Sequence, residues 1–136
     1  MEKAIFIGFH LILKVIINMP LLQIKTTVEK IDKEVLEEIH RLGANILAEQ
    51  IGKSTNYVMV IIDSNCSLSF AQDTVSPSAY MEVKNVGRLS PEKTQHITSQ
   101  LTSLVSEKLA TIPERIYLEF QESERHLWGW NGATFA

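Results

Sequence analysis

The sequence predicts an α/β protein of the α+β kind: a duplicated β-α-β unit forming one four-stranded sheet, with two helices on one face. Three observations predict it. Short strand-like apolar runs alternate with two longer stretches of helical period. The helix-period stretches carry start and stop residues at the expected places. The two halves of the chain also resemble each other at an offset of 58 residues, since Leu47–Ile51 through Tyr57–Ile62 lies over Val105–Leu109 through Arg115–Phe120.

The first strand is read over Pro20–Val28, opening Pro20-Leu21-Leu22-Gln23-Ile24-Lys25-Thr26. Asp32 stands as an N-cap, followed by Val35, Leu36, Ile39, Leu42, Ile46, Leu47 and Ile51 at helical spacing; Gly52 ends the helix. The charges of Asp32–Glu38 form its solvated face. Tyr57–Ile62 is a near-continuous apolar run, as expected of a strand covered on both faces or buried in an interface. Asp63 to Pro77 is polar and loop-like, with Phe70 and Ala71 as packing points. Ala79–Asn85 is the third strand, and Pro20 shifted by the repeat offset lands beside it at Ser78. Ser90-Pro91 starts the second helix, Ser as N-cap and Pro at the first helical position, with Ile97, Leu101, Leu104, Val105 and Leu109 as its stripe. Ile116–Phe120 is the fourth strand, and Leu127–Ala136 is a tail with two tryptophans, two glycines and Phe135.

A β-α-β unit favours a right-handed crossover between parallel strands, which stacks both helices on one sheet face. No further helix is expected to cover the other face, so an oligomer is the natural cover. With 136 residues the chain suits one domain. A hydrophobic share of 45% and a charged share of 21% are those of a folded globular chain. A net charge of −3 without a basic stripe argues against a nucleic-acid partner. Cys66 is the only cysteine, which excludes an intrachain disulfide and a cysteine-based zinc site and fits a reducing compartment. His10, His40, His96 and His126 are scattered with no partner at ligand spacing, so no metal is expected.

Residues 1–18 differ in character from residues 19–136. Ile5 to Ile17 is apolar apart from Gly8, His10 and Lys14, too short to span a membrane. It is also a poor signal peptide: Glu2 offsets Lys3, Lys14 interrupts the apolar run, and no small-x-small cleavage site precedes Met19. The favoured reading is that residues 1–18 lie upstream of the true start and that 19–136 is the domain. A targeting segment and an added edge strand are the other two readings. The start matters chemically. Inside a chain the nitrogen of Pro20 is a tertiary amide without basicity; at the amino terminus it is a secondary amine that can take a proton.

The domain resembles the macrophage migration inhibitory factor and D-dopachrome tautomerase family. The resemblance is carried by Met19-Pro20 before a strand, Gly52-Lys53-Ser54-Thr55-Asn56-Tyr57-Val58-Met59-Val60, Val86-Gly87, Pro113-Glu114-Arg115-Ile116-Tyr117, and Gly129-Trp130-Asn131-Gly132-Ala133-Thr134-Phe135-Ala136. It implies a homotrimer with active sites at subunit boundaries. It also implies cofactor-free keto–enol tautomerisation of phenylpyruvate-type α-keto acids and dopachrome analogues. A terminal Pro20 is then the general base and Lys53 pairs with the substrate carboxylate. The backbone at Val86 orients the substrate, and Tyr57, Trp130 and Phe135 form an aromatic wall. Tyr117 comes from the neighbouring subunit, and Leu127–Trp128 supplies a further apolar group. Without the resemblance, Pro20 reads as a strand-leading proline, Lys53 as a surface charge and the aromatics as core.

Some positions depart from the family pattern. Glu119 stands where animal cytokines of the family have an asparagine that contacts a substrate hydroxyl; a carboxylate can accept there but not donate. Ser78 and Met81 occupy the places of a Cys-x-x-Cys pair, so dithiol chemistry is absent. Cys66 reads as an unremarkable thiol. The expected function is a phenylpyruvate and dopachrome tautomerase, a cytoplasmic isomerase with secretion left open and no membrane partner. Its rival is a cytokine-like, receptor-binding protein with a vestigial site.

Overall fold

Four strands and two helices account for the framework. A computed structural model describes residues 19–52 and 54–136. The readings of residues 1–18, and of Lys53, lie outside the described residues. Strand β1 is Leu21–Thr26, helix α1 Lys33–Gln50, β2 Met59–Asp63, β3 Ala79–Val86, α2 Pro91–Lys108 and β4 Ile116–Ser123. The sheet order is β2-β1-β3-β4. Pairs β1–β2 and β3–β4 are parallel, whereas β1 and β3 are antiparallel at the centre.

The internal repeat holds element by element. Adding 58 to Lys33–Gln50 gives the bounds of α2, and adding 58 to the 3₁₀ turn Thr55–Tyr57 gives the second turn, Pro113–Arg115. Leu21 maps to Ala79, the first residue of β3. Gln23 pairs with Glu82 and Ile24 with Met81, so each residue faces the repeat-equivalent of its neighbour. A local two-fold axis therefore passes between these two pairs.

The helices cover one face. Leu22 and Ile24 of β1 and Met81 and Val83 of β3 are fully buried against Ile39 and Leu47 of α1 and Ile97, Leu101 and Val105 of α2. Each such aliphatic side chain contributes roughly 1.5–3 kcal/mol on burial. Gly43 lets α1 settle on the sheet: a Cβ there would meet Leu22 Cδ2 at 3.0 Å. Lys108 Nζ reaches Glu38 Oε2 at 2.6 Å, linking α2 to α1 and lowering the Glu38 pKa. The opposite face is open, with Met59 62% and Tyr117 64% exposed. There the Tyr80 hydroxyl lies 2.7 Å from Glu119 Oε2 and 2.9 Å from Glu82 Oε1; the Glu119 contact, burial and Glu82 raise the phenol pKa. No described helix is long and apolar enough to cross a membrane.

Some local readings need correction. Asp32 holds the N-cap position, but its carboxylate makes no capping hydrogen bond. By contrast Ser90 Oγ accepts from Lys93 N at 3.2 Å, as expected of the second helix start. Tyr57 does not begin β2. Ser54 Oγ accepts from Asn56 N at 3.1 Å and winds Thr55–Tyr57 into a 3₁₀ turn, so the strand starts at Met59. Within one chain alternate residues of β2 are open and the strand lies at the sheet edge. Of the two readings of this run, the one covered on both faces therefore does not hold within the chain, and the one buried in an interface concerns an assembly.

The Asp63–Pro77 loop is held by Arg115. This buried guanidinium donates to Pro77 O at 3.1 Å, Phe70 O at 3.2 Å, Asp73 O at 3.0 Å and Ser76 O at 3.3 Å. It also lies 5.5 Å from the Phe70 ring centroid. The turn it clamps is strained, with Ala71 at φ 51° and Gln72 at φ 64°.

Asp73 fixes the same turn by accepting from Val75 N at 2.8 Å and Ser76 N at 3.1 Å. The Ser76 side chain, these backbone donors and Arg115 lower its pKa from 3.8 to about 2. A lowered carboxylate pKa contributes stability that is complete above the unfolded value and lost as pH falls through the folded one. The expected result is a melting temperature that drops between pH 3.8 and about 2. That drop should be smaller in Asp73→Asn; calorimetry across the window checks it.

Candidate active site

The start of β1 forms the floor of an apolar cleft of about 330 Å³. Met19, Pro20 and Leu21 supply one side, Asn56 to Met59 the second, and Trp128, Gly129 and Trp130 the third. None of these side chains is charged. Parallel pairing brings the lead-in of β2 beside Pro20, whose carbonyl accepts from Met59 N at 3.2 Å. The turn at Thr55–Tyr57 then carries the Tyr57 ring over the cleft, where it meets Trp130 edge-to-face at 6.1 Å and 79°.

Trp130 is aimed by a small hairpin. Strands β5, Gly129–Trp130, and β6, Ala133–Thr134, pair antiparallel around Asn131-Gly132. Both turn residues have positive φ, 52° and 82°, the backbone of a type I′ turn. Asn-Gly between short apolar steps is a strong hairpin signal, and reading the segment only as a tail missed it. Phe135 N donates to Arg125 O at 3.1 Å and draws the last residues back under the cleft.

There Phe135 and Val86 are buried with Met19 in one cluster, with Tyr57 and Trp128 packed against it. In the chain bearing Met19, its side chain takes the space next to Val86 and Phe135, and Pro20 carries an amide nitrogen. The structure thus brings Pro20, Tyr57 and Trp130 together around the cleft and sets Val86 and Phe135 behind Met19. Trp128 lines the same cleft, whereas Leu127 beside it is exposed.

Tyr117 and Glu119 do not join them within one chain. Both lie on β4, at the far edge of the sheet from β2, facing the open side. Tyr117 stands edge-to-face to Phe70 at 5.4 Å, and Glu119 is held by Tyr80. Lys53 lies outside the described residues. A second depression, about 490 Å³ and lined by Arg88, Glu122, Arg125, His126 and Ala136 among others, is wider and of mixed charge. It does not include Pro20.

Comparison with known proteins agrees with this architecture. The profile of the family described as macrophage migration inhibitory factor (MIF) matches residues 19–136. The macrophage migration inhibitory factor homolog of Trichinella spiralis is 29% identical over 119 residues, covering 86% of this chain and 100% of that protein. Among solved structures, the homologue from Prochlorococcus marinus is 31% identical with a TM-score of 0.75, covering 85% of this chain and 99% of that one. Leishmania major MIF2 gives a TM-score of 0.78 at 27% identity, covering 85% and 97%.

Proposed function

The chain belongs to the macrophage migration inhibitory factor family, and from that premise we propose that it is a cofactor-independent keto–enol tautomerase of phenylpyruvate-like and dopachrome-like substrates. Pro20 acts as the general base once it is the amino-terminal residue. The observation that carries this reading is the uncharged, aromatic-walled cleft of about 330 Å³ built around Pro20.

The chemistry follows from that environment. A free α-amino group titrates near ~8. Burial among Leu21, Tyr57, Met59 and Trp130 disfavours its charged form, so a usable neutral fraction exists near neutral pH. Pro20 takes a proton from one end of the keto–enol system and returns it at the other. Loss of Met19 frees the space beside Val86 and Phe135, which become part of the substrate wall with Tyr57 and Trp130. The backbone at Val86 orients the substrate.

Lys53 holds the substrate carboxylate and offsets charge on the developing enolate. Lys53→Ala is expected to raise KM for phenylpyruvate roughly 10-fold or more, as loss of a charge-assisted hydrogen bond does, without a matching fall in melting temperature. Steady-state kinetics beside a thermal melt check this; a collapse of the melt would make the lysine structural.

The active unit is a homotrimer. The open sheet face, with exposed Met59 and Tyr117, supports an assembly that covers it. In that assembly Tyr117 and Glu119 of one copy complete the cleft of the next. Glu119, acceptor-only when ionised, disfavours substrates that need a donor at the ring position. The test of the whole reading is enol–keto conversion of phenylpyruvate by protein produced from Met19, with methionine removal confirmed by intact mass. A rate no higher than buffer, unaltered by Pro20→Gly, sinks the enzyme and leaves the receptor-binding alternative.

A further inference from the structure

We propose that Asn85 is the positioning residue for the Pro20 nitrogen: its side-chain oxygen accepts the N–H that exists only when Pro20 is the amino terminus. The inference rests on the reading of Pro20 as a terminal base and goes beyond it by assigning the group that aims that base.

Three observations carry it. The first is register. The β1–β3 ladder ends at Leu21 opposite Lys84, so one step further Pro20 stands opposite Asn85. One step beyond that, Met19 would stand opposite Val86, and those two residues do pack together in one buried cluster. The second is burial. Asn85 is 1% exposed, and Pro20 is also buried; strand alternation puts Pro20 in phase with Leu22, as it puts Asn85 in phase with Val83. Directly opposed residues of an antiparallel pair have Cβ atoms about 4.5–5.5 Å apart. The third is an orphan. The Asn85 side-chain oxygen is buried with no hydrogen-bond partner among the described residues. A buried acceptor left unmade is costly, so such an atom needs a reason.

Processing supplies the reason. With Met19 attached, the proline nitrogen is a tertiary amide and has no hydrogen to give. As a terminal amine it carries one N–H when neutral and two when protonated. The cleft is lined by the lead-in of β2 and by Trp128–Trp130, whereas Asn85 stands on β3 and is not part of that lining. An N–H given to Asn85 turns the nitrogen lone pair away from Asn85, towards the cleft. When the nitrogen takes the substrate proton, the same oxygen stabilises the cation formed.

The test is NMR titration of the chain beginning at Pro20, labelled with ¹⁵N, comparing wild type with Asn85→Leu, which keeps the shape and removes the acceptor. The expected result is a Pro20 pKa lowered by about one unit in Asn85→Leu. In the unsubstituted chain the Asn85 side-chain amide signals should titrate with the Pro20 midpoint. In the 136-residue chain, where the orphan has no donor to lose, the same substitution should leave the melting temperature unchanged or raised. A Pro20 pKa equal in both proteins overturns the proposal; so do Asn85 signals flat through the Pro20 midpoint, which need no variant to fold. The titration requires no turnover. A pKa shift in a protein that does not tautomerise phenylpyruvate would support the hydrogen bond and refute the enzyme.

Discussion

A chain beginning at Pro20 is expected to convert enol-phenylpyruvate faster than the 136-residue chain by roughly 10²–10⁴-fold, the range that a positioned general base contributes. The difference comes from one atom. With Met19 attached, the Pro20 nitrogen is an amide, and the buried Met19 side chain takes the space beside Val86 and Phe135. Without it, the nitrogen is a secondary amine in an uncharged cleft. The rate should rise with pH as that amine loses its proton and level off near neutrality. Pro20→Gly keeps a terminal amine but gives up the ring that fixes its direction, so it should retain part of the rate. Equal rates from both chain lengths would remove Pro20 from the chemistry.

The second large effect concerns stability. Arg115→Ala is expected to destabilise the fold by about 3–5 kcal/mol, the cost of breaking a buried, hydrogen-bonded charge and stranding its partners. Four backbone carbonyls and Asp73 depend on this guanidinium, and the turn it closes carries two residues at positive φ. Arg115→Lys should recover little, because a single ammonium cannot reach carbonyls arranged around a planar fork. Denaturant unfolding at neutral pH measures both. A loss under 1 kcal/mol for Arg115→Ala would show that the loop is held by other contacts.

The framework was legible because its signals are local. Helix periodicity and the 58-residue repeat fixed both helices, and Ser90-Pro91 marked one start by its own chemistry. Tyr57 went into the wrong element because its apolar run looks like strand, while the cap that winds the turn, Ser54, lies just before it. The role of Arg115 was not readable: its partners are carbonyls 38 to 45 residues away, and backbone atoms carry no sequence signature. Asn85 was overlooked although strand alternation puts it in phase with Ala79, Met81 and Val83 on the covered face; what only the fold shows is that its side-chain oxygen is left without a partner among the described residues. Pro20, Tyr57 and Trp130 were grouped by family resemblance, and their common cleft is a property of the folded chain.

The central claim is a free nitrogen on Pro20, and the first residue of the protein isolated from its own cells tests it most directly. Amino-terminal sequencing of the purified, active protein should read Pro20, then Leu21 and Leu22. Active protein that instead begins at Met1 would contradict the account.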